Sequence, residues 1–68
     1  MADILPYAAM ERLLKKVGAP RVSQDAKEAL RELLEDFGGK IGQRSVLLAK
    51  HSGRKTVRGT DIRLAAKE

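Results

Sequence analysis

The sequence predicts an all-α fold of a short helix, a long central helix and a short helix, linked by two short basic loops and completed by a second chain. Three observations predict it. Apolar residues recur at spacings of three and four along most of the chain, Gly and Pro gather at two junctions, and the middle segment is too long for a 68-residue chain to cover alone.

Pro6 suits the first position of a helix, where its missing N–H costs nothing, and Gly18 suits the residue just past the end. Between them Ala9, Met10, Leu13, Leu14 and Val17 make one apolar face, so the first helix is expected over about residues 6 to 17. Gly18-Ala19-Pro20 stops it. Ser23 can then cap the second helix by accepting a backbone hydrogen bond, with Asp25 at the positive end of the helix dipole.

From Ala26 the series Ala29, Leu30, Leu33, Leu34, Phe37, Ile41, Val46, Leu47 and Leu48 keeps helical spacing, which predicts a second helix over about residues 24 to 50. Gly38, Gly39 and Gly42 interrupt it, each costing an exposed helix interior about 1 kcal/mol relative to alanine. The helix either breaks at Gly38-Gly39 or uses the face shared by Gly38 and Gly42 for close approach of another helix. No Pro or run of turn residues accompanies the glycines, so the continuous helix is the reading adopted. Such a helix spans about 40 Å, whereas a compact chain of this size has a radius of gyration of about 11 Å. Only another chain can cover its apolar face at both ends.

His51-Ser52-Gly53 ends the long helix, Arg54-Lys55-Thr56-Val57-Arg58 forms a basic loop with a β-favouring centre, and a short helix follows through Ile62, Leu64, Ala65 and Ala66. Thr60 can cap it, or Asp61 can serve in its first turn if the helix starts earlier. One domain over residues 1–68 is expected.

Fourteen Lys and Arg against nine Asp and Glu give a net charge of +5, and the pI is near 10.0. The charge is segregated. Residues 1–24 carry four basic and two acidic groups, residues 25–36 two and five, and residues 37–68 eight and two. A basic domain of this kind fits a nucleic-acid partner, the plainer alternative being a merely soluble surface. Single-strand and RNA binders stack bases on exposed rings, and Tyr7 and Phe37 are the whole aromatic supply, so double-stranded DNA is the expected partner.

Other chemistry has little to work with. There is no cysteine and one histidine, His51, so neither disulfides, a metal site, a cofactor nor a small-molecule substrate is expected, and catalysis is not expected. The chain starts at Met1 without a tripartite leader pattern, and its longest apolar run, Val46 to Ala49, is too short for a membrane span. A cytoplasmic protein without membrane partners is expected.

The two basic loops, Pro20-Arg21-Val22-Ser23 and Arg54 to Arg58, flank the long helix, and an antiparallel pair of such helices would set the first loop of one chain beside the second loop of the other. The blocks Gly18-Ala19-x-Arg21-Val22-Ser23, His51-Ser52-Gly53-Arg54-Lys55-Thr56-Val57 and Asp61-Ile62-x-Leu64-Ala65, in this order and spacing, resemble the archaeal histones over nearly the whole chain. The resemblance implies the histone fold, with strand-like loops, head-to-tail dimers with crossed central helices, and wrapping of double-stranded DNA in the nucleoid largely without sequence preference.

It also implies site residues. Arg12 and Arg21 match minor-groove arginines, whose permanent, weakly hydrated charge suits a narrow groove. Lys55 and Thr56 match second-loop contacts, Lys15 and Arg58 flanking phosphate-facing positions, and Ser23 and Arg54 belong to the same loops. For each, the plain alternative is a solvated surface charge. Arg54 and Asp61 match an intrachain ion pair. Leu48, His51 and Asp61 match a contact between dimers that permits tetramers or longer stacked arrays, where protonation of His51 would tune assembly. Gly18 matches a small residue that allows close stacking, beside its local role as a helix end. The chain departs from the family pattern in Gly39 and Gly42, in lacking a basic residue near position 39, and in ending at Glu68 without a basic tail. Two other readings stand beside this one: a histone-fold subunit of a heteromeric transcription or replication complex, and a helix-turn-helix regulator if the chain turned tightly at Gly38 to Gly42.

Overall fold

The computed structural model describes residues 5–67, and within them the chain forms α1 (Tyr7–Lys16), α2 (Gln24–His51) and α3 (Gly59–Lys67). The all-α architecture of short, long and short helix is as the periodicity predicts. Each boundary has a local cause.

Pro6 stands one position earlier than expected, as the N-cap of α1 with extended backbone at φ −75° and ψ 145°, and its carbonyl accepts the Ala9 and Met10 N–H groups. Its ring suits that φ and it has no N–H to leave unsatisfied. At the other end Gly18 has φ +118°. Its N–H reaches the Lys15 carbonyl at 3.1 Å and the Ala19 N–H reaches Leu14 at 3.0 Å, the paired bonds of a Schellman turn. The same pattern ends α2: Gly53, at φ +75°, donates to Lys50 at 2.9 Å while Arg54 donates to Ala49 at 2.9 Å. A side chain at either glycine would strain the backbone.

Helix α2 runs unbroken through Gly38, Gly39 and Gly42, which excludes the tight turn that a helix-turn-helix would need there. At 1.5 Å per residue its 28 residues extend about 42 Å. The strand-like character expected of the two loops is absent among the described residues. A strand requires a hydrogen-bonded neighbour, and the loop of neither compact unit has an extended partner within its own unit.

Contacts divide the chain into two units, one ending at Asp36 and the other beginning at Phe37. In the first, α1 lies antiparallel to the early turns of α2. Lys27 meets Glu11 at 3.6 Å, the Arg31 guanidinium stands 4.0 Å over the Tyr7 ring, and the buried Glu35 accepts the Leu5 N–H at 2.7 Å. Residues 27, 31 and 35 are one stripe at i, i+4 and i+8, meeting 11, 7 and 5 in descending order. Met10 is the buried apolar side chain of this unit.

In the second unit α2 buries Ile41, Ser45 and Ala49, again at i, i+4 and i+8, and α3 buries Asp61 and Ala65. Ser45 is fully buried without penalty because its hydroxyl donates to the Ile41 carbonyl at 2.8 Å. The large apolar side chains are elsewhere: Val17, Leu33, Phe37 and Leu47 are each more than three-fifths exposed. The apolar face read in the sequence is real, but the single chain does not cover it.

Candidate nucleic-acid interface

In the first unit, Arg12, Arg21 and Ser23 are exposed, on α1 and on the loop that follows it. Ser23 is committed to the chain itself, its Oγ accepting the Ala26 N–H at 3.0 Å and so capping α2 as its residue type predicts. Lys15 is also engaged. Its Nζ pairs with Glu11 at 3.0 Å, and Lys15 first, then Lys27, holds the Glu11 carboxyl below the usual carboxylate range. Arg12 and Arg21 are therefore the first unit's freer cations toward an anionic partner. The Schellman turn at Gly18 fixes the start of the loop that carries Arg21, and on local grounds it accounts for the glycine.

The second loop is organised around one carboxylate. Arg54 grips Asp61 with two nitrogens, Nη1 to Oδ2 at 3.0 Å and Nη2 to Oδ1 at 2.9 Å, while Nη1 also reaches the Thr56 carbonyl at 2.9 Å. The Arg58 N–H donates to Asp61 Oδ2 at 2.8 Å. Helix α3 thus starts at Gly59, one residue before Thr60, and Asp61 in its first turn serves in place of a Thr60 cap. These hydrogen bonds, Arg54 first and the Arg58 backbone next, hold the Asp61 carboxyl down at about 2 and push the Arg54 guanidinium up. The loop is braced by Arg54 from inside. Lys55, Thr56 and Arg58 are left exposed on it.

Leu48 and His51 come together in a surface groove of about 290 Å³ whose other lining residues are Arg44 and Leu47. Asp61, expected with them, does not line that groove; both its oxygens face Arg54. Arg44 was not among the expected site residues. Its spacing from Leu47, Leu48 and His51, at i+3, i+4 and i+7, was the available signal.

The acidic island also has a place. Glu28, Glu32, Glu35 and Asp36 line a groove of about 460 Å³ in the first unit with Tyr7, Arg31 and Leu33. Four carboxylates repel phosphate, so this groove is no DNA site. Among the described residues no cluster of three His, Cys, Asp or Glu could hold a metal ion, and no helix is long and apolar enough to cross a membrane.

Residues 4–66 match the family described as "Histone-like transcription factor (CBF/NF-Y) and archaeal histone". The chain is 49% identical over 63 residues to the archaeal histone HAN1 of Thermococcus zilligii, covering 93% of this chain and 94% of that protein. It is 48% identical over 61 residues to a probable archaeal histone 3 of Methanocaldococcus jannaschii, covering 90% and 91%. A Melbournevirus histone doublet, miniH2B-H2A, is 39% identical over 62 residues, which cover 91% of this chain and 37% of the doublet. With three helices in the expected order and proportions, and both glycine-ended junctions in place, the chain belongs to the family of histone-like transcription factors and archaeal histones.

Proposed function

We propose that this chain is a non-enzymatic architectural protein of the chromosome, a single histone-fold domain that binds and wraps double-stranded DNA largely without sequence preference, as homodimers able to assemble further. The observation that carries the reading is the second loop, where Lys55, Thr56 and Arg58 are exposed on a turn that Arg54 braces against Asp61. A braced cationic loop meets a phosphate backbone without first losing conformational freedom.

Arg21 supplies the matching contact from the first loop, and Arg12 extends it along α1, with Lys15 and Arg58 flanking. Ser23 and Arg54 serve DNA binding by shaping the loops. Homodimerisation is supported by the exposed Val17, Leu33, Phe37 and Leu47, a larger uncovered apolar set than a monomer of this size sustains. It is also supported by charge. Residues 25–36 of α2 carry five acidic groups and the rest of α2 carries none, so antiparallel pairing sets the acidic half of one helix against the basic half of the other. Leu48 and His51 then serve contacts beyond the dimer, and Gly18 leaves room for a stacked neighbour.

Nuclease digestion of complexes reconstituted on linear duplex DNA tests this. A ladder of protected lengths is expected, with binding that weakens steeply between about 50 and 200 mM salt as counterions are released. Salt-insensitive binding, or DNA that is bound but neither protected nor supercoiled, would overturn it.

A further inference from the structure

We infer that the groove formed by Arg44, Leu47, Leu48 and His51 receives a helix of a non-identical, carboxylate-bearing chain rather than the same groove of a second copy. The inference rests on the dimer reading above and deepens it by naming the partner for assembly beyond the dimer.

The four residues lie at i, i+3, i+4 and i+7, so they form one face of α2 two turns long, with two leucines between two nitrogen bases. Leu47 is 65% exposed, and the groove of about 290 Å³ is of a size to take side chains of an apposed helix. The apolar centre with a polar rim is the anatomy of a docking surface. Its electrostatics select the partner. Residues 37–60 contain no Asp or Glu, and Asp61, the one carboxylate among the described residues of this unit, is already gripped by Arg54 and buried.

Consider a second copy offering the same face. Whichever way its helix runs, Arg44 meets another Arg44 or a His51, and no carboxylate is present to compensate a guanidinium losing water. Leaving a charge unpaired in a closing contact opposes association. The acidic half of α2 does not supply the deficit, because antiparallel pairing within the dimer commits it to the partner's basic half. A chain with leucine-sized side chains beside an Asp or Glu satisfies both features, since a carboxylate can accept two parallel N–H bonds from Arg44.

The test uses the full chain and a partner made from it. Arg44→Glu and His51→Glu together give a second dimer with the complementary face, both changes being at exposed positions. The two dimers are followed by sedimentation and native mass spectrometry, alone and mixed one to one, with circular dichroism to confirm folding. Wild type alone is expected as dimers at concentrations where the mixture forms tetramers, an affinity difference of at least about tenfold. Leu47→Lys in the wild-type chain should abolish the mixed tetramer. If the double variant does not fold, R44E alone takes its place in the same mixing. Wild-type tetramers as strong as the mixed ones would overturn the inference in favour of a second copy, and dimers throughout would overturn it by showing that the groove joins nothing. A wild-type chain that is monomeric or aggregated would overturn the dimer reading itself, an outcome distinct from both.

Discussion

Asp61 is bound twice over, by the Arg54 guanidinium through both carboxylate oxygens at 2.9 and 3.0 Å and by the Arg58 N–H at 2.8 Å, so one side chain joins the end of α2, the basic loop and the start of α3. Its folded pKa lies at about 2 against 3.8 for the free group. The unfolded chain therefore binds the proton more readily, and this group's stabilisation is complete above about pH 4 and disappears as pH falls through about 2. Urea midpoints measured across that window should fall with pH in the wild type. D61N should be less stable at neutral pH and lose less stability on acidification. An NMR titration of the Asp61 carboxyl with a midpoint near 4 would refute the bracing role.

The exposed loop cations lead to a prediction on binding. Arg21→Ala and Lys55→Ala should each weaken duplex binding for all sequences and lower the slope of log affinity against log salt by about 0.9 if the lost contact is to one phosphate. Stability should change by no more than about 0.5 kcal/mol, since both side chains are exposed. Lys15→Ala should cost less affinity, because Lys15 already shares its charge with Glu11. Fluorescence anisotropy over a salt series distinguishes these outcomes, and equal losses for Lys15 and Arg21 would contradict the ranking.

Much of this was legible because the signals are local. A glycine after an apolar helical face predicts a left-handed residue and a turn that closes on the preceding carbonyls, and Gly18 and Gly53 both do this. The uninterrupted α2 was legible from the absence of proline near Gly38 to Gly42. What the sequence left open depends on where distant segments meet. The start of α3 at Gly59 follows from a carboxylate reaching back to Arg58 while Arg54 holds it, and the stripe of Lys27, Arg31 and Glu35 has meaning only once α1 folds back along it. The periodicity marked an apolar face through Leu33, Phe37 and Leu47 without saying which chain covers it, and Arg44 read as one surface cation among many until the groove placed it beside His51.

Ser23 separates stability from binding. Its hydroxyl caps α2, so Ser23→Ala should cost about 1 kcal/mol, within the range of about 0.5–2 for lost caps, while duplex affinity of the folded protein stays close to wild type. Ser23→Asp makes the sharper contrast. Aspartate caps as well as serine, so stability is retained, but the new charge two residues from Arg21 should weaken DNA binding. Denaturation and anisotropy on the two variants give opposite orders, and a loss of affinity in S23A without loss of stability would show that the hydroxyl contacts DNA directly.

Gly39 tests whether the glycines of α2 serve a contact or merely weaken a helix. In the single chain a Cβ at this position meets nothing within 4 Å, and the backbone is ordinary α-helix. Under these conditions alanine restricts the unfolded chain without crowding the folded one, and Gly39→Ala should raise stability by about 0.5–1 kcal/mol. The measurement requires wild type and variant at one fixed protein concentration, because association contributes to apparent stability by mass action. A loss of stability that grows as the protein is diluted would instead place the backbone of α2 against a second chain at Gly39, where a methyl group forces the helices apart.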